Sequence, residues 1–539
     1  MKKVFALLIG VTWHCANAQE QYTRKDSLQG GLRMERNCYD VLRYDLDIRI
    51  NPTEKSIHGS NLITYKLVEN TSIIQLDLFE NMKVDSIFSD SGKADFTREY
   101  NALFITFRNT LFKDSQHQLK IYYSGNPIIA KRAPWDGGFV FTKDTAGKDF
   151  IAVAAQGTGA SLWYPCKDSQ TDEPDLGATI KVAVPNGIMD VSNGRFLGSK
   201  DLKDGYTRWD WEVKNPINNY DITVNIGDYV HFGENHKGLD LDYYVLRENE
   251  SKARKQFEQV KPMMDCFQSK FGKYPFSDDG YKLVETPYLG MEHQSAVAYG
   301  NKYANGYLGT DLSGTGIGLG FDYIIIHESG HEWFGNSITS KDIADMWIHE
   351  AFTMYSEAVY VECQLGAEKA NVYINGMKGN VANDKPIIGP YGVDKEGSGD
   401  MYYKGSLMLN TLRHVINDDA KWWKIILKYS ETFRHKIIDT GTVVRFFNAE
   451  SGINLTPIFN QYLRYVNIPV LEMRVADKKL EYRWKADASG FAMPIDIIVK
   501  SKQVRIEPTP DWQKSDIKVS RLSEVKVMTN NFFINIQEL

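Results

Sequence analysis

Cysteine is scarce, and what there is has no pattern. Five cysteines stand in 539 residues and none forms a Cys-x-x-Cys pair, which excludes a cysteine-ligated zinc site and a disulfide-stapled scaffold. Cys38, Cys166, Cys266 and Cys363 therefore read mostly as buried free thiols. No apolar stretch reaches the roughly 18 residues that a spanning helix needs. No run rich in Lys and Arg occurs either. The 63 basic residues against 69 acidic ones leave a net charge of −6, so the electrostatic footprint of a nucleic-acid partner is missing. Repeats and low-complexity tracts are also absent. With 42% hydrophobic and 24% charged residues, what remains is an ordinary globular chain, long enough for three or four domains of about 150 residues.

The first residues read as an export signal. Lys2 and Lys3 precede the apolar run Val4 to Val11, and Ala16-Asn17-Ala18 offers a small-x-small cleavage site before Gln19. That layout predicts a signal peptide over 1–18 and a secreted or periplasmic protein. Cleavage would carry the charge from −6 to −8, since two lysines and no acid are lost.

The texture of the remaining chain changes twice. From Tyr39 to about Gly233 short strands dominate, with period-two alternation in Tyr44 to Ile50 and again in Asp221 to Ile226. After His236 the spacing turns helical, with helices predicted over Ser251 to Phe271, Tyr323 to Phe334, Met346 to Cys363, Gly405 to Ile416, Lys421 to Thr432 and Thr442 to Ser451. Strands return after Pro469, at Leu480 to Trp484, Ile495 to Val499, Ile517 to Ser520, Val525 to Met528 and Phe532 to Ile536. The expected architecture is multidomain α+β. An N-terminal β domain (19–236) leads into a mostly helical domain (237–469), and a small C-terminal β-sandwich (470–539) ends the chain.

Chemistry concentrates in Ile324 to Phe334, which contains His327-Glu328-x-x-His331. On a helix, residues four apart are displaced by about 40°, so both imidazoles face one way and can share a metal. Zinc accepts imidazole, and a catalytic site adds a third ligand while leaving one position open. Glu328 lies close enough to work on a water without ligating the ion. An unligated polar face is disfavoured by the isoleucine run before the motif and by Trp333 and Phe334 after it, because buried imidazoles need partners. The third ligand should come from a second helix, where His349 and Glu350 both have suitable spacing. The glycine-rich stretch Gly314 to Gly320 lacks both phosphate-loop spacing and a preceding strand, and reads as a flexible approach to the motif.

His-Glu-x-x-His, 18 intervening residues and then Glu350 resembles the signature of the gluzincin zinc aminopeptidases, of the aminopeptidase N and leukotriene hydrolase type. Three further segments are similar to that family's motifs. Leu289-Gly290-Met291-Glu292-His293 resembles Gly-x-Met-Glu-Asn, departing at Leu289 and His293. Tyr402-Tyr403-Lys404-Gly405 resembles Tyr-x-Lys-Gly, and Trp163 to Asp168 resembles the segment ending in Pro-Cys-x-Asp. Milder departures are Ala351 for the usual glycine and Glu332 for the usual glutamine. The resemblance implies a thermolysin-like catalytic domain and one Zn2+ on His327, His331 and Glu350. Glu328 would be the general base and Tyr402 the donor to the oxyanion. Gln156, Gly290, Met291 and Glu292 would hold the free N-terminus of a peptide substrate. Asp345 and Glu357 are candidates to orient the histidines. The large helical domain that often follows in the family has no counterpart in the short β segment here.

Overall fold

The computed structural model describes residues 22–539, and the export signal expected over 1–18 lies outside them. The described chain opens with a short helix, α1 (Arg24–Gly30), started by a reciprocal capping box between Thr23 and Asp26. An eight-stranded sheet follows. At its centre the strand Tyr39–Asn51 pairs antiparallel with Ser56–Leu67 and parallel with Ala178–Pro185. Its alternation has the predicted outcome: Tyr44, Leu46, Ile48 and Ile50 are buried while Asp45, Asp47 and Arg49 turn outward.

The alternation over Asp221 to Ile226 has a different outcome. Asn218 accepts a hydrogen bond from the Tyr220 amide and starts a 3-10 turn over Asn219–Asp221. Only Val224–Gly227 is a strand, and both of its faces are buried. It belongs to a four-stranded sheet with Met189–Ser192, Asp149–Ala154 and Gly138–Lys143. The strand Asp149–Ala154 leads directly to Gln156.

A five-stranded sheet joins the two halves of the molecule. The hairpin Tyr229–His236 with Leu239–Leu246 continues into the parallel strands Tyr281–Glu285 and Val297–Tyr299, and Gly290–Met291 forms the edge. That hairpin straddles the boundary expected at residue 236, and its own pairing is the reason: a cut there would sever the Asn235–Asp240 and His236–Leu239 register.

The motif helix, α2 (Tyr323–Gly330), starts at Asp322, whose side chain accepts from the Ile324 and Ile325 amides. It ends four residues before the predicted Phe334. His331 caps it, and Glu332–Asn336 makes a wider turn in which Phe334 and Gly335 leave helical geometry. Gly335 sits at φ +134°, which a side chain would strain. The strand Ile338–Ser340 and a 3-10 turn over Ile343–Asp345 then lead to α3 (Trp347–Leu365). The helix α4 (Asp400–Ile416) lies against α3. Helices Ala367–Gly376 and Thr456–Arg464, unforeseen in the sequence, complete this region together with Asp419–Thr432 and Thr440–Ser451.

Two cysteines correct the expectation of free thiols. Cys266 and Cys363 are joined by a disulfide that fastens the helix Val260–Phe271 to the end of α3, while Cys38 and Cys166 are free and buried. Residues 470–538 hold a four-stranded and a three-stranded sheet. Phe532, Phe533 and Ile534, expected in a strand, are instead buried, and pairing begins at Asn535. The Phe533 amide donates to Thr411 and its carbonyl accepts from Tyr462, which pins the segment to the helices. A single apolar cluster runs from Leu239 through the helices to Ile534.

Candidate active site

Positions α2 and α3 present two imidazoles and a carboxylate to one point. His331 Nε2 lies 3.4 Å and His327 Nε2 3.7 Å from Glu350 Oε2. The other ring nitrogens are already committed. His327 Nδ1 is 2.7 Å from Glu357 Oε1, and Tyr373 donates to the second oxygen of that carboxylate at 2.7 Å. His331 Nδ1 donates to the Phe334 carbonyl at 3.0 Å, an oxygen turned inward by the wide turn and shared with Thr353. An acceptor at each Nδ1 fixes the proton there and leaves each Nε2 lone pair free.

Glu350 Oε2 is buried and carries no hydrogen bond, an arrangement that costs stability unless a cation arrives. The donor set of two imidazoles and one carboxylate, its oriented second nitrogens and the orphaned oxygen all fit a zinc ion with an open position. His349 faces elsewhere: its Nε2 accepts from the Ser340 amide at 2.8 Å. Asp345, a candidate to orient a histidine, instead binds Thr440 and Tyr391. Glu357 does meet one.

A second group gathers beside the first. Ligand atoms of Glu292, Glu328 and His331 lie within 4.8 Å of one another. Glu292 follows the edge strand Gly290–Met291, and its Oε1 accepts from Gln156 Nε2 and, at 3.2 Å, from the Tyr220 hydroxyl. Its carbonyl accepts from Asn336 Nδ2 at 2.7 Å. Tyr220 and Asn336 were not foreseen; they come from a distant turn and from the irregular end of α2, where no local spacing marks them. Burial raises the Glu292 carboxyl above the usual range. Burial also lifts Glu328 to about 7, against the lowering influence of His327 and His331.

At Gly290 there is no room for a side chain. A Cβ would stand 2.7 Å from Ile324 Cγ2 and 3.1 Å from Glu328 Oε1. Across the site, the Tyr402 ring stacks over His327 at 6.1 Å. Its hydroxyl proton is held tightly, first by burial and then by the charge of Glu350. Tyr403 lines the same cavity, and burial and then the charge of Glu357 also strengthen its hold on its hydroxyl proton. Gln156, Gly290, Met291, Glu292, His327, Glu328, His331, Glu350 and Tyr402 all line one cavity of about 670 Å³.

Comparison with known proteins accords with this arrangement. Residues 41–220 match the peptidase M1 N-terminal domain and residues 255–462 the peptidase family M1 domain. The chain belongs to peptidase family M1. Among its curated relatives is the aminopeptidase N of Lactobacillus helveticus, 24% identical over 467 residues, which span 80% of this chain and 52% of the relative. The probable aminopeptidase 1 of Sulfurisphaera tokodaii is 20% identical over 525 residues, covering 91% of this chain and 62% of the relative. This M1 chain thus spans about half to three fifths of the length of these two relatives. The M1 zinc metallopeptidase of Deinococcus radiodurans shares the fold, with a TM-score of 0.66 at 18% identity, over 81% of this chain and 96% of the other. A structure of a mutant of that protein holds a Tyr-Ser-Ala substrate.

Proposed function

We propose that this M1 chain is an exported, zinc-dependent aminopeptidase that releases N-terminal residues from peptides. One observation carries the reading. A buried carboxylate, Glu292, braced by Gln156 and Tyr220, shares a cavity with the convergent His327, His331 and Glu350. A buried anion beside a metal-binding set is a receptor for a substrate's free ammonium. It fixes the distance from the N-terminus to the reacting bond, so only the first peptide bond comes within reach.

His327, His331 and Glu350 would hold one Zn2+, which supplies Lewis acidity to the scissile carbonyl and to a water. Glu328 would take a proton from that water on its carboxylate and pass it to the leaving nitrogen. Its position beside His327, and a pKa lifted by burial to about 7, support this exchange near neutral pH. Tyr402 would donate its hydroxyl proton in a hydrogen bond to the carbonyl oxygen as charge develops there. Gly290 and Met291, at the sheet edge, offer backbone along which the substrate can lie. A peptide as short as the Tyr-Ser-Ala held by the Deinococcus radiodurans protein is a reasonable first substrate.

Export rests on the expected leader. The Cys266–Cys363 disulfide supports it, since such bonds persist in oxidising compartments. Edman sequencing of the mature protein should begin at Gln19.

Aminoacyl fluorogenic amides and their N-acetylated forms test the function. Chelation should silence release of the free-amine substrates and added zinc should restore it. Acetylation should abolish cleavage. Comparable cleavage of blocked and free substrates would reject an exopeptidase.

A further inference from the structure

Glu396 lies on the loop ahead of α4 and lines the cavity. Among the described residues it makes no hydrogen bond or ion pair, although burial and the charges of Glu350 and Glu292 raise its affinity for a proton. Lys385, the cation that favours its charged form, is exposed on the surface and forms no ion pair among the described residues. A Cβ added to Gly157 would stand 3.5 Å from Glu396 Oε1. The carboxylate therefore borders the backbone next to Gln156, whose side-chain amide is turned away to Glu292.

Charge balance in the cavity leaves Glu396 over. Its lining holds Glu292, Glu328, Glu350, Asp394 and Glu396, with Lys395 as the lone lysine or arginine. On the zinc aminopeptidase reading, a divalent ion offsets Glu328 and Glu350, and the substrate's α-ammonium offsets Glu292. Arg36, and after it the neighbouring Lys395, favour the charged form of Asp394. Glu396, half-buried at the cavity wall, has only the exposed Lys385 acting on it as a cation and no bonded partner among the described residues, so it is the carboxylate left to meet a cation brought by the substrate.

From this geometry we infer that Glu396 is a specificity-determining residue that receives a second positive charge on the substrate, the side chain of an N-terminal lysine or arginine. Gly157, lacking a side chain, leaves the approach to Glu396 open, and the cavity is large enough for a long basic side chain beside the α-amine. The inference rests on the proposed aminopeptidase reading, and the test separates the two.

The decisive pair of substrates is lysyl and norleucyl amides, which match in length and differ in charge. The natural chain should cleave the lysyl amide better. In Glu396→Gln the lysyl kcat/KM should fall by about 10- to 100-fold, the worth of a hydrogen bond to a charged group, with the norleucyl value within about twofold. A second readout needs no turnover: lysinamide should raise the melting temperature of the chelated and the zinc-loaded chain more than norleucinamide does. Glu396→Gln should abolish that difference. Equal losses on both substrates, or no preference for lysyl in the natural chain, would overturn the role of Glu396 while leaving the aminopeptidase standing. Failure to cleave any free-amine substrate would overturn both.

Discussion

Gly290 and Glu357 constrain the catalytic geometry without reacting. A methyl group at Gly290 would push on Ile324 and on the Glu328 carboxylate. Gly290→Ala is therefore expected to lower kcat by about 100-fold, the scale of a 1 Å misplacement of a reacting group, with zinc content unchanged by elemental analysis. Glu357→Ala removes the acceptor that orients His327. It should weaken zinc affinity about 10- to 100-fold, read by chelator competition. Glu328→Gln should leave the metal bound and remove turnover. His293, which follows Glu292 where the resembled motif has asparagine, is buried with neither ring nitrogen partnered among the described residues. Burial holds its pKa down at about 3. The unfolded chain takes up that proton near pH 6.5 and the folded chain does not. Stability is thus lost as pH falls from about 6.5 towards 3, at up to about 1.4 kcal/mol per pH unit. Denaturant melts of His293→Asn should show a shallower loss over that window, and superimposable slopes would mean the ring is already protonated in the fold.

At the scale of elements, close approach of helices sets the site. A Cβ at Gly405 on α4 would meet the Ala351 side chain on α3 at 2.6 Å, and one at Gly330 would meet Ser356 on α3 at 2.5 Å. These small residues let α3 come near both α2 and α4, which brings Glu350 to the histidines and Tyr402 over His327. Gly405→Leu should part α3 from α4 and cost activity along with several degrees of melting temperature, whereas an exposed glycine with ordinary backbone geometry and open space around it, such as Gly379, should tolerate the same change. The sequence makes the histidine pair visible because four-residue spacing is itself geometry. It makes Glu350 visible only through family resemblance, as His349 is its equal on spacing. The early end of α2 is hidden, because Trp333 and Phe334 continue the apolar pattern while Gly335 and the inward Phe334 carbonyl break the backbone. Tyr220, Asn336 and Glu396 are hidden too, being brought in by tertiary packing rather than by any local period.

For the whole molecule, the Cys266–Cys363 bond closes 97 residues that include the complete histidine motif and Glu350. Loop-closure entropy assigns such a bond about 4 to 5 kcal/mol. Cys363 is solvent-exposed, so dithiothreitol should reach it and lower the melting temperature by roughly 5 °C or more, with Cys363→Ser lowered equally and insensitive to reductant. Unchanged melting would show that the thiols are unpaired in solution.

The apolar interior that passes unbroken from Leu239 to Ile534 has a practical corollary. The final seventy residues cannot be trimmed as an optional appendage, because Phe532, Phe533 and Ile534 plug the same interior that supports α4. A version ending at Pro469 would bare a broad greasy face and should collect in inclusion bodies. Anyone seeking a minimal enzyme should shorten exposed loops and keep the tail intact.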